Sequence, residues 1–389
     1  MLIGFAITRF NAPSTVPGAP MTAVPEAADK GSRLSVLLGS ESVAGYAVAN
    51  EARTFRFPED HGPHQNFRNE WWYLTGNLDG EHGQRFGYEL TIFRFSLTPE
   101  LQANSSGNAE SNWRTNQVYV AHFTVTDEKN KQFHVEQRFS RGALGLAGAR
   151  TSPFKVWIED WSIQQDPDGG AAAAAGENWQ LTASGPEIAL DLNLVADKPA
   201  VLNGIDGLSQ KSAAAGNASY YYSIPRMRST GTLRIAGETH AVSGVSWLDR
   251  EWSSSALAAD QQGWDWFALQ LSDGSDLMFY NIRKTGGSQD EYSAGTWIDS
   301  DGESRHLQRQ DVVITVTDQW QSPAGGTYPS RWDIQLPALD LALTVTPVIA
   351  AQELITTVHY WEGAVDVRGR RKQQAIEGRG YVELTGYGR

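Results

Sequence analysis

The sequence predicts an all-β protein made of two tandem antiparallel barrels. From Thr54 onward it consists of short alternating or aromatic-rich runs broken by Gly and Asp-Gly, with almost nothing at helical spacing. Asp79-Gly80, Asp273-Gly274 and Asp301-Gly302 fall between such runs, where a residue that tolerates positive φ lets a hairpin close. A Glu-Trp pattern also recurs. Asn69-Glu70-Trp71-Trp72, the turn at Asp79-Gly80 and Arg85–Arg94 (RFGYELTIFR) are echoed at nearly equal offsets by Arg250-Glu251-Trp252, Asp273-Gly274 and Ser275–Arg283 (SDLMFYNIR). Tight connections make neighbouring strands antiparallel, and for so many strands two closed sheets leave fewer exposed edges than one open sheet.

In chain order the predicted strands are Glu70–Leu78, Arg85–Leu97, Gln117–Thr126, Gln132–Phe139, Phe154–Ile163, Glu187–Val195, Gly231–Ala236, His240–Leu248, Asp265–Leu271, Leu277–Arg283, Asp311–Thr317, Leu339–Thr346, His359–Val367 and Gly380–Leu384. Thr98–Asn112, Gln164–Asn178 with its five-alanine run between glycines, and Ala196–Ser219 read as loops. Residues 1–53, rich in Ala, Ser, Pro, Gly and Val without sustained periodicity, read as a disordered leader or a processed segment. The first barrel is assigned to residues 54–243 and the second to 244–389, opening at Ser246-Trp247-Leu248-Asp249.

Composition excludes several classes of function. With 32 basic and 45 acidic residues the chain carries a net charge of −13, and no Lys/Arg cluster is interleaved with aromatics, so nucleic acid is not an expected partner. The absence of cysteine removes disulfides, thiolate metal sites and a thiol nucleophile. The longest apolar runs, such as Leu2–Ile7, fall far short of the ~20 residues of a membrane helix. No GxSxG elbow, phosphate-binding GxxxxGK[ST] loop or HExxH helix occurs. Arg9 follows Leu2–Ile7, the reverse of a secretory signal, which an upstream start would restore; lack of thiols suits an oxidising compartment, and a periplasmic or secreted location is expected.

Phe55-Arg56-Phe57-Pro58-Glu59-Asp60-His61-Gly62-Pro63-His64 followed by Glu70-Trp71-Trp72-Tyr73, together with His359–Val365 (HYWEGAV) and Gly380–Tyr387 (GYVELTGY), resembles the AttH/CrtC family over about residues 54–389. The resemblance implies tandem lipocalin-like (calycin) barrels. It also implies kinship with secreted predicted hydrolases of unproven activity and with the carotenoid 1,2-hydratases.

Two constellations carry possible chemistry. His61, His64 and Glu70 have donors that a divalent ion uses, but Gly62-Pro63 turns the chain between the histidines, so they are expected to plug a barrel mouth and no metal is assigned. Glu70 is either buried with a raised pKa or paired with an arginine such as Arg68 or Arg94, the paired arrangement being expected. The second constellation is Asp249, Arg250, Glu251 and Trp252, then Trp264-Asp265-Trp266, then Tyr280. Hydrating an unactivated alkene requires a strong acid to protonate one carbon and aromatic faces to hold the cation until water arrives. Asp249, Glu251, Asp265 and Tyr280 are the catalytic candidates, although tryptophans packed on an apolar ligand would give the same composition.

His64, Glu70, Trp71, Trp72, Arg250, Trp252, Trp264, Trp266, His359 and Trp361 are the ligand-binding candidates, while His122 and His134 read as ordinary hydrogen-bonded side chains. Around His359, strand alternation puts His359 and Trp361 on one face and Tyr360 and Glu362 on the other. The hydratase pattern that the resemblance implies has a histidine after the equivalent of Asp249 and an aspartate shortly after the equivalent of Tyr280. Here Arg250 and Asn281-Ile282 stand in those places, and neither Arg nor Asn supplies a proton near neutral pH. An Arg250 paired with Asp249 or Asp265 would hold that carboxylate ionised.

Two functions are thus expected. The first is binding, with or without modification, of a long apolar ligand such as an isoprenoid, carotenoid or lipid in an aromatic-lined pocket in or between the barrels. The alternative is a cofactor-independent, carotenoid 1,2-hydratase-like addition of water to a C=C bond. No cofactor is assigned, the expected partner is an apolar small molecule, and nothing in the sequence sets an oligomeric state.

Overall fold

A computed structural model of the chain describes residues 43–99, 113–166, 178–255 and 257–388. Most of the expected leader, and most of the loops expected at 98–112 and 164–178 with the alanine run, lie outside the described residues.

The first sheet comprises β1 (Asn69–Asp79), β2 (Arg85–Ser96), β3 (Gln117–Asp127), β4 (Gln132–Arg141), β5 (Ala147–Arg150), β6 (Lys155–Ile158), β7 (Trp161–Gln165), β8 (Asn178–Ser184), β9 (Ile188–Ala196), β10 (Val201–Leu202), β11 (Leu208–Gln210), β12 (Ala218–Ile235) and β13 (Glu238–Ser253). Its order is β4-β3-β2-β1-β13-β12-β9-β8-β7-β6-β5, so the last strand returns to pair with the first. β10 and β11 continue the β9 position along the first half of β12. The second sheet comprises β14 (Gln261–Leu271), β15 (Asp276–Lys284), β16 (Ala294–Ile298), β17 (Ser304–Gln308), β18 (Val313–Gln321), β19 (Thr327–Leu336), β20 (Leu341–Pro347), β21 (Glu353–Ile355), β22 (His359–Arg371) and β23 (Gln374–Thr385). It repeats the plan as β17-β16-β15-β14-β23-β22-β20-β19-β18, with β21 added to β22.

Each sheet curls around its own core and stays unzipped at one seam, between β4 and β5 and between β17 and β18. Arg138 on β4 reaches across the first seam to the Ser184 carbonyl (3.0 Å) and to Asp160. The fold is therefore all-β, two tandem lipocalin-like barrels.

Strand alternation decides what each side chain faces. On β1, Trp72, Leu74 and Leu78 enter the core of the first barrel with Tyr88, Leu248 and Trp252, whereas Trp71 and Tyr73 face the second barrel. On β14, Phe267, Leu269 and Leu271 enter the second core, while Trp264, Trp266 and Ala268 face the first barrel. A third cluster that includes Tyr73, Tyr221, Trp247, Trp266, Met278, Tyr280 and Tyr381 forms the joint between the two.

The structure corrects several expectations. β13 is one continuous strand to Ser253, so the boundary expected at 243/244 moves to between Ser253 and Gln261, and residues 244–253 belong to the first sheet. The second Glu-Trp segment accordingly does not open the second barrel. It lies beside the first one, with Glu70 opposite Trp252 and Trp71 opposite Glu251, and the repeat resides in topology instead, with β1–β2 corresponding to β14–β15. The single strand expected over 154–163 is β6 and β7, split by a turn at Glu159 (φ 56°). β8 and the first half of β12 have no predicted counterpart; Pro225 interrupts the pattern of β12 and sits in a bulge between Ile224 and Met227, where its missing N–H breaks no ladder bond. β16, β17 and β19 were likewise not predicted. Gly274 (φ 85°) and Gly302 (φ 91°) close hairpins as expected, whereas the turn after Asp79 is longer, with positive φ at His82 and Gly83.

Candidate active site between the barrels

The facing sides of the two sheets leave a cavity of about 140 Å³ at the joint. Trp71 and Tyr73 of β1, Phe93 of β2, His122 of β3, Tyr221 of β12, and Asp249 and Glu251 of β13 line it from the first barrel. Trp264 and Trp266 of β14, Tyr280 of β15, Tyr360 and Glu362 of β22, and Glu383 of β23 line it from the second. Half-buried Trp71, Phe93, Leu257 and Trp264 mark the mouth. A cavity of about 150 Å³ holds one benzene ring, so this one has room for a ring or the branched end of a chain.

Acids crowd this joint. Glu362 is fully buried; its Oε2 accepts a hydrogen bond from the Tyr73 hydroxyl (2.9 Å) and its Oε1 has no partner. Burial, with Glu383 and Glu89 as like-charged neighbours, holds its carboxyl well above the usual range. Burial likewise pushes Glu383 to about 8 against a hydrogen bond from the Trp264 side chain, and Glu89, which adjoins them from β2, to about 8. Across the cavity burial raises Asp249 to about 7, although Ser223, Tyr221 and the Trp247 indole (2.7 Å) all donate to it. Trp266 Nε1 donates to the Tyr221 oxygen (3.0 Å), extending this chain to the second barrel. Glu251 differs: Ser219 donates to it and Lys211 Nζ lies 3.1 Å away, the ammonium resting 4.0 Å from the centre of the Tyr280 ring.

A second buried ionic cluster lies on the inner face of the first barrel. The oxygens of fully buried Glu70 are taken by Arg94 and Arg250, and the His64 N–H lies 3.1 Å from Oε2. Both guanidinium groups hold the carboxyl well below the usual range against the opposing effect of burial. Arg250 also donates to the Gly62 carbonyl (2.7 Å) and lies 4.0 Å over the Trp72 ring, while His64 stacks on Trp252 at 3.7 Å. Glu70 and Arg94 are thus paired as expected, while His61 meets the Tyr222 hydroxyl and His64 Nε2 lies 2.9 Å from Asp60.

Of the residues singled out in the sequence, Trp71, Asp249, Glu251, Trp264, Trp266 and Tyr280 meet in the cavity. His64, Glu70, Trp72, Arg250 and Trp252 lie together on the other face of β1 and β13, inside the first barrel. Arg250 therefore pairs with neither Asp249 nor Asp265, because adjacent residues of a strand point to opposite sides. Asp265 faces away from the cavity toward Arg283 (3.0 Å) and the Tyr387 hydroxyl (2.9 Å). Trp361 is buried in the second core and donates to the Ala350 carbonyl (2.8 Å), and His359 pairs with Glu353 (2.6 Å). Their alternates Tyr360 and Glu362 are the ones that reach the cavity, as does His122. The signal for Glu89, Glu362 and Glu383 was a lone glutamate amid apolar strand residues (YEL, YWEGAV, YVEL), which marks a carboxyl destined for burial.

Fold and site together define a two-barrel, lipocalin-like protein with a carboxyl- and aromatic-lined cavity at the joint. A family model described as AttH-like matches residues 48–387, and the chain belongs to the AttH-like family. An AttH protein of Nitrosomonas europaea is similar at 32% identity, covering 88% of this chain and 99% of that chain with a TM-score of 0.75. Kievitone hydratase from Nectria haematococca shares the fold at 15% identity, covering 88% and 96% with a TM-score of 0.63. CghA, solved with Sch210972, shares it at 10% identity, covering 90% and 97% with a TM-score of 0.50. No curated protein sequence matches the chain.

Proposed function

We propose that the cavity binds an unsaturated apolar small molecule of isoprenoid type and adds water to one of its C=C bonds through a buried carboxylic acid. Glu362 carries this reading. Its Oε2 accepts from Tyr73, so a proton on the carboxyl rests on Oε1, which is buried on the cavity wall without a partner. No salt bridge reaches Glu362 among the described residues, so nothing holds it ionised.

Transfer of the Oε1 proton to the less substituted alkene carbon leaves a tertiary cation, which the aromatic rings of Trp71, Phe93 and Trp266 on the cavity wall would stabilise. Water adds to the cation and returns a proton to the Glu362 carboxylate, so the acid is regenerated and one water is gained. Asp249, raised to about 7, is a second group able to take the proton from water. AttH-like membership and a fold shared with a protein named as a hydratase support the reading. The small enclosed volume favours the end of an isoprenoid chain over a whole carotenoid.

Tryptophan fluorescence titrated with geraniol, farnesol and an acyclic carotenoid tests binding, and mass spectrometry for a gain of one water tests turnover. Glu362→Gln is expected to retain binding and lower turnover by about 10²–10⁴. Ligand that binds and stays unaltered would make the protein a carrier, and no fluorescence response to any of the three would remove the binding reading itself.

A further inference from the structure

Tyr360 adjoins Glu362 on the cavity wall and is tied to the outside of the first barrel by a short chain of hydrogen bonds. His122, fully buried on β3, meets the Tyr360 hydroxyl through Nδ1 at 2.6 Å and the Gln137 side-chain nitrogen through Nε2 at 2.9 Å. Gln137 Nε2 also donates to the Thr357 hydroxyl at 2.6 Å. With the Gln137 amide nitrogen turned toward the ring, His122 Nε2 is the accepting nitrogen. A neutral ring that accepts at Nε2 carries its proton on Nδ1, and that N–H donates to the Tyr360 oxygen. Burial keeps the ring neutral, lowering its pKa to about 3. With its oxygen already accepting, Tyr360 has an O–H to give, and no acceptor for it occurs among the described residues. A buried donor without an acceptor is costly unless a ligand satisfies it.

We infer that Tyr360 is a specificity-determining residue whose hydroxyl donates to an oxygen of the bound molecule, with His122 and Gln137 as positioning residues, so that the ligand is an oxygenated isoprenoid rather than a hydrocarbon. This rests on the cavity being the binding site, and it narrows the class of molecule bound there. Hydrocarbon carotenoids leave the Tyr360 donor and the adjacent Glu362 Oε1 unmatched, whereas an alcohol, ether or carbonyl oxygen satisfies one of them.

The test compares geraniol, geranyl methyl ether and myrcene, which share a trisubstituted alkene end and differ in oxygen. Fluorescence titration is expected to show geraniol and the ether binding about tenfold more tightly than myrcene. Tyr360→Phe should abolish that difference while leaving myrcene affinity unchanged, and Gln137→Leu, which touches no ligand, should erode it. Nitrogen-15 correlation spectra of the wild-type protein should show His122 as the Nδ1–H tautomer, and Gln137→Leu should convert it to a mixture, a change that a merely structural role for Gln137 would not produce. Equal binding of all three ligands, or an Nε2–H tautomer of His122, would overturn this inference and leave the cavity reading standing. Binding of none of them overturns both.

Discussion

Glu70 and Glu362 are both completely buried glutamates on strands, yet they are held at opposite ends of the titration scale. Glu70 lies inside the first barrel against two guanidinium groups; Glu362 lies in the joint, between two further glutamates and beside a tyrosine. Burial opposes ionisation at both sites, so the supply of cations decides the outcome. That supply is arranged by strand alternation. β13 turns Arg250 inward to Glu70 and turns Asp249 and Glu251 outward to the cavity, so its cation is consumed in the barrel and the joint keeps its acids. A carboxyl held ionised and one held protonated are thus separated by the thickness of one sheet.

Applying the same substitution at both sites gives the largest predicted contrast. Glu70→Gln strands two buried guanidinium groups and should cost about 3–5 kcal/mol in chemical denaturation. Arg250→His, which leaves Glu70 with Arg94 alone, should cost a similar amount and give no gain in hydration over the wild type, since position 250 faces away from the cavity. Glu362→Gln removes no ion pair and should change stability little at mildly acidic pH. If Glu70→Gln and Glu362→Gln destabilise equally, the division between a structural and a chemical carboxyl is wrong.

The two regions should also respond oppositely to pH. Glu89 and Glu383 titrate near 8 in the folded protein against 4.5 as their ordinary value, so between those limits the native state holds protons that the unfolded state releases. Their contribution is complete below about 4.5 and is lost as pH rises through 8. Glu70 is shifted the other way, so its contribution is complete above the ordinary carboxylate range and is lost in acid. Thermal unfolding should therefore show greatest stability at mildly acidic pH, with a decline toward pH 9 that Glu383→Gln flattens and Glu70→Gln does not. An unchanged alkaline decline in Glu383→Gln would place the titrating groups elsewhere.

Much of this organisation was legible in the sequence because it rests on local period and turn chemistry. β1 to β4, the closing strand β23 and the hairpins at Gly274 and Gly302 follow from alternation and Asp-Gly pairs. β12 was lost in part because Pro225 looks like a terminator until its bulge is seen. At the site, alternation correctly grouped Tyr360 with Glu362 and His359 with Trp361, but a period of two cannot say which face is the cavity. That depends on the packing of one barrel on the other, a contact between residues hundreds of positions apart such as Tyr73 and Glu362. The pairing of Glu70 with Arg94 was readable from the hairpin, whereas Arg250 enters from β13 and its role required the β1–β13 pairing.

The smallest predicted effect concerns the rim of the joint, where charge is paired in water instead of in the interior. Arg379 on β23 reaches across to Asp79 on β1, its Nη1 2.8 Å from both carboxylate oxygens, with side chains 37% and 48% exposed. Geometrically this pair is as good as those around Glu70. At the surface, though, the high dielectric, the entropy of two long side chains and screening ions remove most of the gain, and such pairs contribute about 0–1 kcal/mol. Arg379→Ala should therefore lower stability by under about 1 kcal/mol, and the loss should shrink as salt is raised, in contrast to Arg250→His, whose cost should be nearly independent of salt. A large, salt-insensitive loss in Arg379→Ala would mean that the rim pair locks the barrels together, and that depth of burial is not what separates the two regions.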